Sequence, residues 1–308
     1  MQPETNTTSD ELAREALAWA TDVALEDPAL LDRPPATPPI ETLRALPVEV
    51  VRDHLDRILV SKNAEEGLDA LHYIRLLDAW IPEVAAMVGF GDGEWRHKDV
   101  WKHTKQVVRQ AVPRLAVRWG ALLHDIGKPK TRKITPSGEV TFYGHAEVGA
   151  AMFRRRVGKR LGFDDALFDK IHFLILYHLR ASQYDGQWTD SAVRRFARDM
   201  GEGLDDLLAL SRADITTKRP ARKKRGLRQI SALAERIRKL QKEDARVPPL
   251  PKGLGTEIME AFGVPPSRRL GDIMKELERR CDTGDLEGRR DAAFYVEYLR
   301  EHSDDFEL

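Results

Sequence analysis

The sequence predicts an all-α protein with at most one short β-hairpin. Apolar residues recur at helical spacing from about residue 40 to the C-terminus, and the glycine and proline clusters that interrupt them are short. Only the stretch 130–143, where Thr, Pro and Gly gather around Pro136-Ser137-Gly138, has the turn chemistry of a loop or hairpin. At 308 residues the chain is long enough for a large core and roughly two or three subdomains.

Taken in order, Ser9 is placed to cap a helix whose apolar stripe runs through Leu12, Ala16, Trp19 and Val23. Pro28, Pro34, Pro35, Pro38 and Pro39 stiffen the segment that follows, so this first helix reads as an appendage laid against the main body. Leu43, Leu46, Val50, Leu55, Ile58 and Leu59 suggest one helix with Pro47 near its start, and Leu68, Leu71, Ile74, Leu77 and Trp80 a second. Gly89, Gly91 and Gly93 mark a loop. Trp95 to Val112 reads as a helix with His103 facing inward between Val100 and Val107, and Pro113 separates it from a helix over 114–125. Gly144 opens a helix bearing His145, Val148, Gly149 and Met152 on one side. Asp164 or Asp165 starts the next, in which His178 continues the stripe of Ile171, Leu174 and Ile175 while His172 lies on another face. Thr189 or Asp190 caps a basic helix, and a helix from Leu204 to Thr216 carries Asp214 on its apolar face. The tail then reads as a basic stretch, Lys218 to Arg228, a charged helix, a proline loop and three further helices.

Fifty basic and fifty acidic residues cancel, so any contact with nucleic acid must come from a local patch. The single cysteine, Cys281, excludes an intramolecular disulfide framework and fits a reducing cytoplasm. The polar, acidic start has no signal-peptide pattern, and the most apolar run, Phe173 to Leu179, is too short to span a bilayer. No membrane association is expected.

The stretch Ala121-Leu122-Leu123-His124-Asp125-Ile126-Gly127-Lys128-Pro129 sets an imidazole beside a carboxylate at the end of an apolar run. His124 sits above Val117, Gly120 and Ala121, small residues that let another helix come close. One His-Asp pair arises readily by chance, and a buried hydrogen-bonded pair satisfies both groups without any metal. Collected by face, however, the inward candidates are His103, His124, Asp125, His145, His178 and Asp214, spread over five helices. A ligand set of nitrogen and oxygen without thiolate points to a hydrolytic site with Mn, Fe, Co, Ni, Mg or Zn, not to a structural zinc site. Lys128, just beyond the helix end and expected to be solvent-reachable, is placed to meet an anion held there.

The order His103-Thr104, His124-Asp125-Ile126-Gly127-Lys128, Gly144-His145, Tyr177-His178 and Ala213-Asp214 resembles an HD-domain phosphohydrolase. More closely, from about Ile40 onward the chain is similar to the HD-containing portion of bacterial tRNA nucleotidyltransferases and poly(A) polymerases. His97-Lys98-Asp99-Val100-Trp101-Lys102-His103-Thr104 and Phe142-Tyr143-Gly144-His145 are the most specific stretches, and Leu250-Pro251-Lys252-Gly253-Leu254-Gly255 also looks like that group's tail. The resemblance implies a neck-like helical region at 40–94, an HD helical bundle at 95–220 and a helical tail at 221–308, preceded by the N-terminal helix and proline-rich linker at 1–39. Those enzymes carry a nucleotidyltransferase head, whereas this sequence has no Gly-Gly and no Asp-x-Asp pair, so nucleotide addition is not expected of it.

By resemblance, His103, His124, Asp125 and Asp214 hold a first divalent transition-metal ion, and Asp125 bridges to a second held by His145 and His178. The implied reaction is hydrolysis of phosphomonoesters or phosphodiesters of nucleotides or RNA ends, 2′,3′-cyclic phosphates included, through a metal-activated hydroxide. Asp125 and Lys128 would be catalytic, with Lys128, Arg132 and His97 contacting substrate. The basic run Lys218 to Arg228 could track an RNA backbone, although charge runs are usually no more than a solvated surface. Two rival readings share these residues: a non-catalytic RNA- or tRNA-binding module, and a nucleoside mono- or triphosphatase unrelated to RNA.

Overall fold

The computed structural model describes residues 9–90, 99–245, 248–306 and 308. The chain divides into two compact units, Met1–Arg238 and Lys239–Leu308. Apart from one two-stranded hairpin, the regular structure among the described residues is helical. No helix among them is long and apolar enough to cross a membrane.

In the first unit, α1 (Ser9–Leu25) is followed by a 3-10 turn, Pro28–Asp32, capped by the Asp27 carboxylate. The helix expected across Pro47 is two, α2 (Ile40–Ala45) and α3 (Val48–Val60). Proline disfavours helical backbone in the residue before it, and Leu46 is extended, with ψ of 142°. The stripe from Leu68 to Trp80 also divides, into α4 (Ala64–Tyr73) and α5 (Leu76–Trp80), where Arg75 takes a φ of 63°; α6 (Pro82–Ala85) follows. The first helix is more than an appendage. Its buried face is Ala13, Ala16, Leu17, Ala20, Thr21, Val23 and Ala24, with Leu12 and Trp19 at the margin, and it packs on α3 and α4. The approach is close because Gly67 of α4 has no side chain: a Cβ there would lie 2.7 Å from that of Ala24.

The Asp99 carboxylate accepts from the Lys102 amide at 3.1 Å and starts α7 (Val100–Gln110). The expected earlier start at Trp95, the candidate His97 and the loop glycines Gly91 and Gly93 lie outside the described residues. α8 (Leu115–Leu123) is buried along nearly its whole circumference, as the central helix of a core must be. It stops two residues short of Asp125, and after one turn the chain enters α9 (Lys128–Thr131). The hairpin falls where the turn residues placed it, β1 (Lys133–Ile134) antiparallel to β2 (Val140–Thr141), with Lys133 opposite Thr141.

Gly144, at φ 76°, turns the chain into α10 (His145–Met152), which continues through a π-helical turn, Phe153–Val157, into α11 (Gly158–Leu161). α12 (Asp165–Tyr177) and α13 (Asp190–Met200) are capped by Asp164 and Thr189. After α14 (Leu204–Ala213), the basic stretch and the charged helix of the sequence form one helix, α15 (Pro220–Asp244), inside which the division between units falls. The second unit holds α16 (Leu254–Phe262), α17 (Arg268–Thr283) and α18 (Ala292–Glu301) around Leu254, Ile258, Leu277, Tyr295 and Leu299.

Two glycines set the spacing around α8. A Cβ on Gly120 would stand 3.0 Å from the Leu174 side chain, so α12 rests directly on the α8 backbone. A Cβ on Gly127 would lie 2.1 Å from the His145 carbonyl oxygen and 2.8 Å from the Gly149 nitrogen, both backbone atoms of α10. Backbone cannot rotate aside as a side chain does. Gly127→Ala is therefore expected to lower the thermal midpoint through overpacking of about 1–3 kcal/mol or more. Gly271→Ala, within α17 and with nothing within 4 Å, is expected to stabilise by roughly 0.5–1 kcal/mol. Melting of both variants beside the parent checks the contrast.

Candidate metal centre

Helix ends deliver most of the candidate ligands. His124 and His178 are the C-caps of α8 and α12, Asp214 is that of α14, and His145 is the first residue of α10. A helix C-terminus leaves carbonyls without amide partners, and the imidazoles there use them. His124 Nδ1 lies 2.8 Å from the Ala121 carbonyl and His178 Nδ1 2.7 Å from that of Ile175. His145 Nδ1 makes the same three-residue return, 2.8 Å to the Phe142 carbonyl, and His103 Nδ1 lies 2.8 Å from Thr216 Oγ1. A carbonyl only accepts, so each imidazole bonded to one carries its hydrogen on Nδ1 and turns Nε2 inward. This is the arrangement by which proteins orient histidine toward a metal.

The six side chains meet as two clusters, His103 with His124 and Asp214, and Asp125 with His145 and His178. In the first, His103 Nε2 is 3.3 Å from His124 Nε2 and 3.0 Å from Asp214 Oδ1. In the second, His145 Nε2 and His178 Nε2 are 3.2 Å apart. Asp125 belongs to both. Its Oδ2 is 3.2 Å from His124 Nε2 and 3.6 Å from His103 Nε2, while Oδ1 is 3.4 Å from His145 Nε2.

Such a set fits a divalent cation. In the second cluster the Nε2 atoms of His145 and His178 face one another, and with both rings neutral and protonated on Nδ1 the lone pairs they present repel unless a positive charge lies between them. Asp125 Oδ1 is buried and makes no hydrogen bond, a vacancy that costs free energy in a closed site unless a cation meets it. The absence of thiolate matches metals that prefer nitrogen and oxygen.

Electrostatics point the same way. Burial, the largest influence on Asp125, raises its pKa; the charges of His124, Lys128 and His103 and the His124 hydrogen bond outweigh it and hold the carboxyl well below its usual range. Burial also raises Asp214, yet the His103 hydrogen bond and the neighbouring imidazoles bring it to about 2. Burial depresses His145, and with the charge of His124 it takes His178 to about 4, so both stay neutral at pH 7. His124 is the exception: burial lowers it, and the adjacent Asp125, with Asp214, raises it overall.

Lys128 is less free than its position past a helix end suggested. It begins α9, its side chain is 21% exposed, and Nζ reaches back to 2.6 Å from Asp125 Oδ2. Arg132, one turn on, is exposed, with its guanidinium 5.9 Å from the Phe90 ring centroid; it is not drawn into the clusters. His172 is half-buried in a groove with Glu147, Arg154, Arg155 and Leu176, separate from the six ligand candidates. Thr216 is the residue sequence reasoning missed: two positions after Asp214, it carries no periodicity or motif that would single it out.

Residues 100–219 match the family model described as the HD domain. The chain therefore contains an HD domain, the fold of a metal-dependent phosphohydrolase superfamily whose members bind divalent metals. It is 31% identical over 262 residues to the A-adding tRNA nucleotidyltransferase of Deinococcus radiodurans, covering 83% of this chain and 59% of that protein. It is 30% identical over 263 residues to the CC-adding tRNA nucleotidyltransferase of Thermus thermophilus, covering 83% and 58%. A multifunctional CCA protein of Tolumonas auensis is 31% identical over 118 residues, 36% of this chain and 28% of its own length. The chain thus spans a little under three-fifths of the two long relatives.

Loss of a partner that orients a metal-binding histidine typically costs 10–100-fold in metal affinity. Thr216→Val is expected to weaken Mn²⁺ binding by about that factor. Metal analysis of purified variants is expected to find His178→Ala depleted and His172→Ala as loaded as the parent. The reverse pattern would move the second site to His172.

Proposed function

We propose that this chain is a metal-dependent phosphohydrolase that cleaves phosphomonoesters or phosphodiesters of nucleotides or RNA ends, 2′,3′-cyclic phosphates among them. The observation that carries the proposal is the position of Asp125, whose two oxygens face two nitrogen-rich clusters. His103, His124, Asp214 and Asp125 would hold one ion, and His145, His178 and Asp125 a second. Bound divalent ions supply a nucleophile by lowering the pKa of water, and they withdraw charge from phosphoryl oxygens.

The remaining work falls to the chain itself. The imidazoles are fixed by their Nδ1 contacts, so the ligand set needs little reorganisation when an ion enters. Lys128, beside Asp125, is the cation positioned to meet a phosphoryl oxygen, and Arg132 on the following turn would meet a more distant charge on the substrate.

RNA as the partner is supported by the two long relatives, both named for tRNA, and by the basic run that leads into and opens α15. There Lys218, Arg219, Arg222, Lys224, Arg225 and Arg228 are exposed. Lys223 donates to Gln110 Oε1 at 3.2 Å, and Gln110 Nε2 donates at 2.7 Å to the Ala213 carbonyl, one residue before Asp214. A backbone tracked by this basic face would therefore pass close to the Asp214 cluster.

Phosphate release or ring opening is expected only with a divalent transition metal, and EDTA should abolish it in an assay across mono-, cyclic and triphosphates. Turnover that survives chelation would contradict the proposal. At saturating metal, Lys128→Met is expected to lose on the order of 10²-fold in turnover, as for removal of one charge-stabilising donor. Steady-state kinetics beside thermal melting separates this from misfolding.

A further inference from the structure

Asp125 Oδ2 is met from three sides. Two imidazole nitrogens and the Lys128 ammonium converge on it, the ammonium nearest at 2.6 Å, whereas Oδ1 of the same carboxylate makes no hydrogen bond. An ammonium at that distance occupies the space and satisfies the charge that a divalent ion entering between His103, His124 and Asp214 would need. The two cannot share Oδ2 comfortably: like charges a few ångströms apart in a closed site repel strongly. Lys128 has somewhere else to go. Its stem starts at the first residue of a short helix and it is partly exposed, so the ammonium can swing outward past the Phe142 ring, whose centroid is already 5.7 Å from Nζ.

We propose that Lys128 is an internal counter-cation for Asp125, and that an ion entering the His103, His124 and Asp214 cluster must displace it. Lysine 128 thereby sets a lower metal affinity for that cluster than its ligands alone would give. Displacement also frees the ammonium for the phosphoryl group, so metal loading and substrate binding are coupled through one side chain. The inference rests on the metal-centre reading of the site and adds to it a competition inside the chain.

The test measures Mn²⁺ binding to the full chain by titration calorimetry, for the parent, Lys128→Met and Arg132→Met. Arg132→Met removes the same charge one helical turn away without touching Asp125. Lys128→Met is expected to bind at least one ion about tenfold or more tightly than the parent. Arg132→Met should change affinity by less than about threefold, as for an exposed, salt-screened charge. Equal or weaker affinity in Lys128→Met, or an equal gain in both variants, would overturn the inference while leaving the metal centre intact. If no variant binds Mn²⁺, the metal-centre reading falls and this inference falls with it.

A second measurement uses the parent protein alone. Brief acetylation with an N-hydroxysuccinimide ester, read by mass spectrometry, is expected to modify Lys128 several-fold faster with Mn²⁺ present, and exposed Lys130 at the same rate in both states. Unchanged labelling of Lys128 would contradict displacement.

Discussion

A carboxylate with 1% of its side chain exposed must be surrounded by positive charge, and the ionised Asp125 is the group around which the first unit is arranged. Helices α7, α8, α9, α10, α12 and α14 bring their ends or first turns to it or to the side chains beside it. The His124 imidazole and the Lys128 ammonium meet the charge at Oδ2, while Oδ1 makes no hydrogen bond. The local backbone carbonyls accept the Nδ1 hydrogens of the histidines and so orient them. That division of labour, backbone to orient and side chains to converge, is the pattern on which the proposed metal centre rests.

Convergence of this kind requires helices closer than ordinary side chains allow. Gly120 lets α12 lie on α8, and Gly127 lets the first turn of α10 press against the turn that carries Asp125. The apolar all-round character of α8 supplies the packing energy that holds these contacts. Packing and chemistry are thus one problem in this region: the residues that close the distance are the ones with no side chain to show for it.

Much of this was legible in the sequence. Helical periodicity located the helices, and Asp164 and Thr189 stand where caps are required. The inward faces picked out six side chains that the structure gathers, because a polar residue on an apolar stripe has few alternatives to a partner. Continuity misled where one residue changes direction: Pro47 and Arg75 each split what periodicity joined, since an apolar stripe continues across a break when both pieces face the same core. The ion pair of Lys128 and the Thr216 hydroxyl were not legible. One depends on how a side chain folds back over a helix start, and the other on a loop conformation that no spacing encodes.

The central claim is that Asp125 lies between two cation sites, one on each oxygen. A crystal of the protein grown with Mn²⁺ and measured near the manganese absorption edge tests it directly. The account predicts two anomalous peaks, one among His103, His124 and Asp214 and one between His145 and His178, with Asp125 touching both. A map with no peak at Asp125, or with metal bound elsewhere and the Lys128 to Asp125 contact intact, would contradict it.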